Sequence, residues 1–236
     1  MLEAVAASAI SNLDLPKIVL AIGSLGTAAY GVVDVSKGFW GGVSNRGFGD
    51  IKKVVSQFIP AASDANSAES ALALPSVLAT LRANWLNGMA LADQKSIAKA
   101  LIKLNLTGAS AKGMATAAGV DEKFLTNVAN KLATGETLTK DETDVYGRFD
   151  LLLSAMLDQG YQRGDQRYRN SAKLMAVPVA VALALLGAWA ISTNGLTPGD
   201  AWRACIGGLL ATPLAPVAKD LASAIQAGTK VAQAWK

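Results

Sequence analysis

Residues 174–192, LMAVPVAVALALLGAWAIS, decide the fold of this chain. They include no Asp, Glu, Lys or Arg, and they are close in number to the roughly 20 residues that an α-helix needs to cross the hydrocarbon of a bilayer. A buried helix of a soluble protein is rarely uncharged over such a length. The stretch therefore predicts a transmembrane helix over residues 174–192.

A second uncharged stretch lies near the N-terminus at residues 18–33, IVLAIGSLGTAAYGVV. Together with the three residues before it, it is long enough for a transmembrane helix over residues 15–33, with the Lys17 ammonium reaching the headgroups. A secretory signal peptide begins with basic residues, whereas residues 1–14 contain no Lys or Arg. We therefore expect a short N-terminal arm over residues 1–14, followed by a span that is retained.

A third apolar stretch, ACIGGLLATPLAPVA at residues 204–218, is shorter. Pro213 and Pro216 interrupt it, and proline removes helical hydrogen bonds, although membrane helices tolerate it. We predict a transmembrane or re-entrant helix over residues 202–219 and an amphipathic C-terminal tail over residues 220–236. The expected fold is thus all-α: an integral membrane protein with about three transmembrane helices and a small helical domain.

The distribution of basic residues predicts the orientation, because Lys and Arg concentrate on the cytoplasmic side of spans. Residues 34–173 carry Lys and Arg next to both flanking spans, so they are expected to form a helical cytoplasmic domain. Residues 193–200, TNGLTPGD, contain no basic residue and are expected outside. The chain is therefore predicted to be a multi-pass protein of the cell membrane with its bulk in the cytoplasm.

Apolar residues at helical spacing predict several helices in the domain. The pair Thr139 and Glu142 has the spacing of a capping box at a helix start. Lys95, Lys99 and Lys103 share one face of their helix, which we interpret as a solvent-exposed face. The predicted helices cover residues 46–59, 74–86, 92–106 and 139–158, and residues 60–73 form a flexible loop.

Residues 111–132 have the small and apolar residues of a DNA-binding helix-turn-helix motif, including Gly119 at the turn. The second helix would begin with Asp121 and Glu122, and these carboxylates repel the phosphates that such a motif must contact. We therefore interpret the segment as two packed helices and predict no nucleic acid partner.

A basic and aromatic run lies directly before the second span. Its side chains are candidates for contact with lipid headgroups or with an acidic patch of a partner, and they also suit a simple role in setting topology. The candidate contact residues are Arg163, Arg167, Tyr168, Arg169 and Lys173.

Small residues recur four apart in each apolar stretch, and such faces let helix backbones approach closely in a membrane. They favour a helical bundle or an oligomer over isolated helices. The candidate helix-packing residues are Gly23, Thr27, Gly31, Ala180, Ala184, Ala188, Ala204, Gly208 and Thr212.

The composition excludes much chemistry. Histidine is absent and Cys205 is the single cysteine, so a Ser-His-Asp triad, a Cys-His dyad or a histidine-ligated zinc site cannot be built from this chain. The sequence also contains no glycine-rich phosphate loop of the Walker type. We therefore expect no enzymatic activity, no cofactor and no metal.

The layout resembles a broad group of uncharacterised bacterial inner-membrane proteins. The resemblance rests on Arg46-Gly47-x-x-Asp50-Ile51 after the first span, on residues 149–156, and on the run at residues 161–173 that leads into the second span. In that group a Trp-Tyr-Lys-Arg-Arg segment precedes the returning span; here Tyr161-Gln-Arg stands near that position and the tryptophan is missing. The resemblance implies an integral membrane protein and no particular activity.

The leading functional prediction is a non-enzymatic membrane scaffold, anchor or accessory subunit. Its partners would be the lipid bilayer and other protein subunits or further copies of itself, with partner binding through the cytoplasmic domain. The alternative is a homo-oligomeric pore or membrane-permeabilising effector gated by that domain, because an apolar constriction can gate without charged residues. A third hypothesis is a soluble helical protein that buries its apolar stretches in a core.

Overall fold

The computed structural model describes residues 15–36, 41–60, 72–193 and 195–234, and in these ranges the chain is helical and has no strand. The prediction of an all-α fold is confirmed. The predicted arm over residues 1–14 and most of the predicted loop over residues 60–73 lie outside the described residues. The helices are α1 (Leu15–Val35), α2 (Ser44–Phe58), α3 (Leu74–Leu86), α4 (Leu91–Leu104), α5 (Ala111–Ala118), α6 (Glu122–Thr134), α7 (Lys140–Ile191) and α8 (Pro198–Ala234).

The helices form two compact units. Residues 44–169, here called the helical domain, contain α2 to α6 and the N-terminal part of α7. The other unit, here called the apolar bundle, contains α1, the part of α7 from residue 170, and α8. The single helix α7 therefore contributes to both units without a break in its backbone.

The helical domain has a core of large apolar side chains. Phe58 of α2 meets Phe149 of α7 edge-on, with ring centroids 6.3 Å apart, and the Trp85 indole of α3 donates a hydrogen bond to the Ser44 carbonyl oxygen at 3.0 Å. Amphipathic helices bury such side chains and turn charged residues to water. Further fully buried core residues are Ile51, Leu81, Ile102, Met114, Leu125, Leu153, Leu157 and Tyr161.

The capping box at the start of α7 and the turn at Gly119 were predicted from the sequence, whereas the cap on α6 was not. The Thr139 amide donates to Glu142 Oε2 at 2.7 Å, and the Glu142 amide donates to Thr139 Oγ1 at 3.4 Å, so the capping box is confirmed. Asp121 caps α6 by accepting the Phe124 amide at 3.0 Å. Gly119 ends α5 with φ of 66°, a left-handed conformation that glycine adopts without a steric penalty.

The interpretation of the α4 lysines as a solvent-exposed face is wrong. Lys99 and Lys103 donate to the two carboxylate oxygens of Asp150 on α7 at 2.6 and 3.0 Å, and Lys95 pairs with Asp158 about two turns further along α7. The row is a set of ion pairs that joins α4 to α7. The apolar pattern of α4 alone shows which side is buried but not that a row of carboxylates would lie against the other edge.

The apolar bundle is packed through small residues. A Cβ atom placed on Gly26 of α1 would lie 2.1 Å from the Ala211 carbonyl oxygen of α8, and one on Gly23 would lie 2.1 Å from the Ala218 Cβ. A Cβ on Gly208 of α8 would lie 2.5 Å from the Val181 Cα of α7. The backbones therefore touch directly at these three positions, and side chains larger than hydrogen do not fit.

Among the described residues, two helices are long and apolar enough to cross a membrane, α1 and, through its apolar C-terminal part, α7. The helix α8 falls short because its uncharged run covers only residues 204–218, about 22 Å at 1.5 Å per residue against about 30 Å of hydrocarbon. It nevertheless continues through Pro213 and Pro216 as one helix to Ala234. Length and composition thus favour two spans rather than the three expected.

Candidate functional site

The crossing of α2 and α7 in the helical domain is built on glycines. A Cβ on Gly47 would lie 2.5 Å from the Gly164 carbonyl oxygen, and a Cβ on Gly164 would lie 2.7 Å from the Gly47 carbonyl oxygen. One turn earlier on α7, a Cβ on Gly160 would lie 2.9 Å from the Val54 Cγ2. The two backbones are therefore in contact, and the side chains next to these glycines lie along a narrow common edge.

Charged residues line that edge. Arg167 of α7 places Nη1 3.1 Å from Asp50 Oδ2 of α2, where 16% of the Asp50 side chain and 60% of the Arg167 side chain is exposed. Residues three or four apart share a helix face. Arg163 therefore lies on the face of Arg167, and Arg46 and Lys53 lie on the face of Asp50. These four cations, Arg46, Lys53, Arg163 and Arg167, are here called the basic cluster.

The predicted contact residues differ in exposure and in whether they are ion-paired. Arg163 and Lys173 are exposed, and Arg167 is exposed but paired with Asp50. Arg169 forms an ion pair with Asp165 of its own helix at 2.8 Å. Tyr168 is half-buried, with its ring edge-on to Trp85 at 6.3 Å between centroids. Tyr168 therefore packs against the core of the helical domain.

Sequence reasoning missed the contribution of α2 to this edge. The spacing of Arg46, Asp50 and Lys53 places them on one helix face, so the face itself could have been predicted. Nothing in the local pattern shows that α7 lies beside it, because that contact depends on Gly47 and Gly164, which are 117 residues apart in the chain.

The candidate helix-packing residues differ in burial. Ala180, Gly208 and Thr212 are buried together with Gly23, whereas Ala184, Ala188 and Ala204 are half-buried. Thr27 and Gly31 are exposed within the chain, and a Cβ on Gly31 would meet no atom within 4 Å. The face of α1 that packs in the bundle instead runs through Gly23, Gly26, Ala29 and Val33.

A groove of about 860 Å³ opens in the apolar bundle between α1, the end of α7 and the start of α8. Its walls include Ile22, Leu25 and Ala188, and Asp200 and Arg203 supply charge at its α8 side. Thr197 caps α8 by accepting the Asp200 amide at 3.2 Å. This volume lies in the range of small-molecule sites, and its largely apolar lining suits a hydrocarbon chain better than a polar substrate.

In the helical domain, the surroundings shift the pKa values of Glu142, Asp150 and Tyr161. The hydrogen bond from Lys131, at 2.7 Å, lowers the pKa of Glu142, and the Thr139 amide adds to this effect. Burial disfavours the Asp150 carboxylate, but hydrogen bonds from its two lysine partners outweigh it and lower the pKa of Asp150. Burial raises the pKa of the Tyr161 hydroxyl, so that phenol stays neutral in the core.

The structure also bears on a metal site and on the helix-turn-helix segment. Within residues 15–36, 41–60, 72–193 and 195–234, no group of three or more Cys, Asp and Glu side chains could hold a metal ion. The α5–α6 pair has the turn of a helix-turn-helix, but Glu122 at the start of α6 lies 3.4 Å from Lys112. The carboxylate at this helix start is therefore paired with a lysine of α5, and the absence of a nucleic acid partner stays a prediction.

Comparison of the chain with protein-family models, with curated proteins and with solved structures found no match. The resemblance to bacterial inner-membrane proteins stays a prediction.

Proposed function

We propose that this chain is a non-enzymatic membrane anchor or accessory subunit. The apolar bundle lies in the bilayer in this proposal, and the helical domain faces the cytoplasm and binds partners. The absence of histidine excludes a Ser-His-Asp triad and a Cys-His dyad, and this supports a binding role.

The observation that carries the proposal is the opposite distribution of large apolar side chains in the two units. In the helical domain, Phe, Leu, Ile and Trp are buried, whereas in the apolar bundle the buried residues are chiefly Gly and Ala. Among the described residues, 15 of the 18 exposed large hydrophobic side chains lie in the apolar bundle. Helices packed in lipid have this arrangement, with small residues at the contacts between helices and large apolar residues on the outer surface of the bundle.

The energetic consequence favours lipid over water as the surroundings of the bundle. Leu174, Leu186, Trp189, Ile191 and Trp202 are each 59% to 85% exposed. At about 1.5–3 kcal/mol for each fully buried large side chain, and with the 15 exposed side chains of the bundle on average a little over half exposed, covering all 15 is worth on the order of 20 kcal/mol. That exceeds the roughly 5–15 kcal/mol by which a whole domain is stable. A bilayer supplies this cover, and only 22% and 11% of the apolar windows of α1 and α7 is buried within the chain.

The third segment and the orientation belong to the same proposal. α8 packs against α1 through Gly23 and Gly26, so it accompanies α1 into the bilayer as a short span or a re-entrant helix. The helical domain carries basic residues at both of its ends, next to each flanking span, and this favours a cytoplasmic location for the domain.

The test is extraction of membranes that contain the full chain. Alkaline carbonate and high salt are expected to leave the protein in the membrane pellet, and detergent is expected to release it, alone or with a partner. Native mass spectrometry of the detergent extract then reports the partner and the copy number. Release by carbonate refutes the membrane proposal, and ion flux through liposomes that contain only this protein replaces the anchor by the pore.

A further inference from the structure

The basic cluster is a concentration of positive charge around one carboxylate. Arg46, Lys53 and Arg163 are exposed and have no ion-pair partner within the described part of the chain, and Arg167 is the partner of Asp50. In the same domain, Lys95, Lys99, Lys103, Lys112 and Lys131 each have a carboxylate partner, whereas Lys123, Lys140 and Arg148 are exposed cations that lie away from the α2–α7 edge. The cluster therefore presents cations that the chain itself does not neutralise.

The geometry of the α2–α7 crossing fixes these cations relative to one another. Gly47 and Gly164 bring the two backbones into contact, and Arg46 and Arg163 are the residues directly before them in sequence. The Arg167–Asp50 ion pair closes the same edge one turn away. Two helices thus place Arg and Lys residues along one common edge, and guanidinium groups bind phosphate oxygens in pairs of hydrogen bonds.

The position of the cluster along α7 indicates the source of the phosphate. Arg167 and Arg163 lie 7 and 11 residues before Leu174, where the apolar stretch begins, which is about 10 and 16 Å along the helix. The first distance is close to the Debye length of about 8–10 Å at physiological salt. Arg167 therefore lies within range of the headgroups of a bilayer that holds the apolar stretch, whereas Arg163 lies about two Debye lengths from it.

We propose that the basic cluster binds the phosphate headgroups of anionic phospholipids at the membrane surface. The proposal deepens the proposed function, on which it rests for the nearby bilayer, and it assigns the binding to both α2 and α7. Each Lys or Arg near an anionic surface contributes about fivefold in affinity. The half-buried Asp50 opposes binding by neutralising Arg167.

The test uses the full-length protein in detergent, titrated with phosphatidylglycerol or with zwitterionic phosphatidylcholine. Bound lipid is counted by native mass spectrometry. The triple variant R46Q/K53Q/R163Q is expected to lose affinity for phosphatidylglycerol about fivefold or more, because the contribution of each cation falls off within a Debye length. The matched control K123Q/K140Q/R148Q removes three exposed, unpaired cations elsewhere in the domain and is expected to bind phosphatidylglycerol as the wild type does. Phosphatidylcholine is expected to show weak binding to all three proteins.

A fourth protein tests the opposite direction. The variant D50N removes the one carboxylate of the cluster and frees Arg167, so it is expected to bind phosphatidylglycerol about fivefold more tightly than the wild type. Equal weakening by the two triple variants, or unchanged binding by both R46Q/K53Q/R163Q and D50N, overturns the proposal. Tighter binding of a single-stranded RNA than of phosphatidylglycerol by the wild type overturns the choice of lipid.

The two proposals fail separately. If carbonate releases the wild type while the variants show the expected lipid pattern, the proposed function falls and the basic cluster stands as a membrane-docking surface. If the wild type resists carbonate while the variants show no pattern, the lipid assignment alone falls.

Discussion

Leu186 and Leu151 offer a sharp test of the membrane proposal because they lie on the same helix with similar exposure. Leu186, in the apolar part of α7, is 59% exposed, and Leu151, in the helical domain, is 72% exposed. Substitution of an exposed residue in water usually changes the free energy of unfolding by less than about 0.5 kcal/mol. Near the centre of a bilayer, replacing Leu by Arg costs about 3 kcal/mol, which is roughly 100-fold in the insertion equilibrium.

The assay is labelling of one cysteine in the loop between α7 and α8. In the background C205S/T193C, an impermeant thiol reagent added outside the cell labels residue 193 when the second span is inserted. The variant L186R is expected to lower the labelled fraction strongly, because the span no longer inserts efficiently. The variant L151R is expected to label as the background does.

The comparison of the two arginine variants decides between lipid and water around this part of α7. Equal labelling of both variants would refute the reasoning that lipid surrounds Leu186. If L186R instead leaves a soluble protein with an unchanged melting temperature, the exposed leucines face water and the membrane proposal falls with them.

Three further predictions concern contacts within each unit. G26L forces a side chain against α8, where a Cβ would lie 2.1 Å from a carbonyl oxygen. It is expected to destabilise the detergent-solubilised protein by about 1–3 kcal/mol in thermal unfolding. The control G31L, whose Cβ would have no atom within 4 Å, is expected to leave the stability unchanged. D150N removes the shared partner of two lysines and is expected to cost about 1 kcal/mol, against no change for the exposed D144N; equal melting temperatures would contradict the α4–α7 ion pairs. Because the folded pKa of Glu142 lies below its ordinary value, its contribution is present above about pH 4.5 and is lost as the pH falls through the folded pKa. The difference in melting temperature between wild type and E142Q is therefore expected to be constant from about pH 7 to 5 and to shrink below about pH 4; a constant difference down to pH 2 would contradict the assignment.

Features that depend on a few neighbouring residues were predictable from the sequence. The capping box needs only Thr139 and Glu142, and the apolar stretch at residues 174–192 needs only its own composition. Both kinds of signal are local, because a helix end satisfies its own amides and a span is defined by its own length. The all-α fold follows from the sum of such signals.

Features that depend on contacts between distant helices were not predictable. The lysine face of α4 looks solvent-exposed until Asp150 and Asp158 of α7 are placed beside it. In α1, the sequence offers several four-residue series of small side chains, and only the packing partner selects Gly26 over Thr27 or Gly31. The sequence alone shows the apolar and polar faces of each helix, but it does not show which faces pack against each other.

In α7, two glycines lower the predicted helix propensity and also provide the contact with α2 that stabilises the helix. The sequence predicts a helix over residues 139–158 and a span over residues 174–192, and Gly160 and Gly164 between them weaken intrinsic helix propensity by about 1 kcal/mol each. The helix nevertheless continues, because both glycines are the places where α2 comes into backbone contact. The cost in propensity is offset by close packing against α2, which in turn brings Arg46 and Lys53 to the edge of α7. The glycines that make this part of the helix look weak are therefore the residues that build the basic cluster.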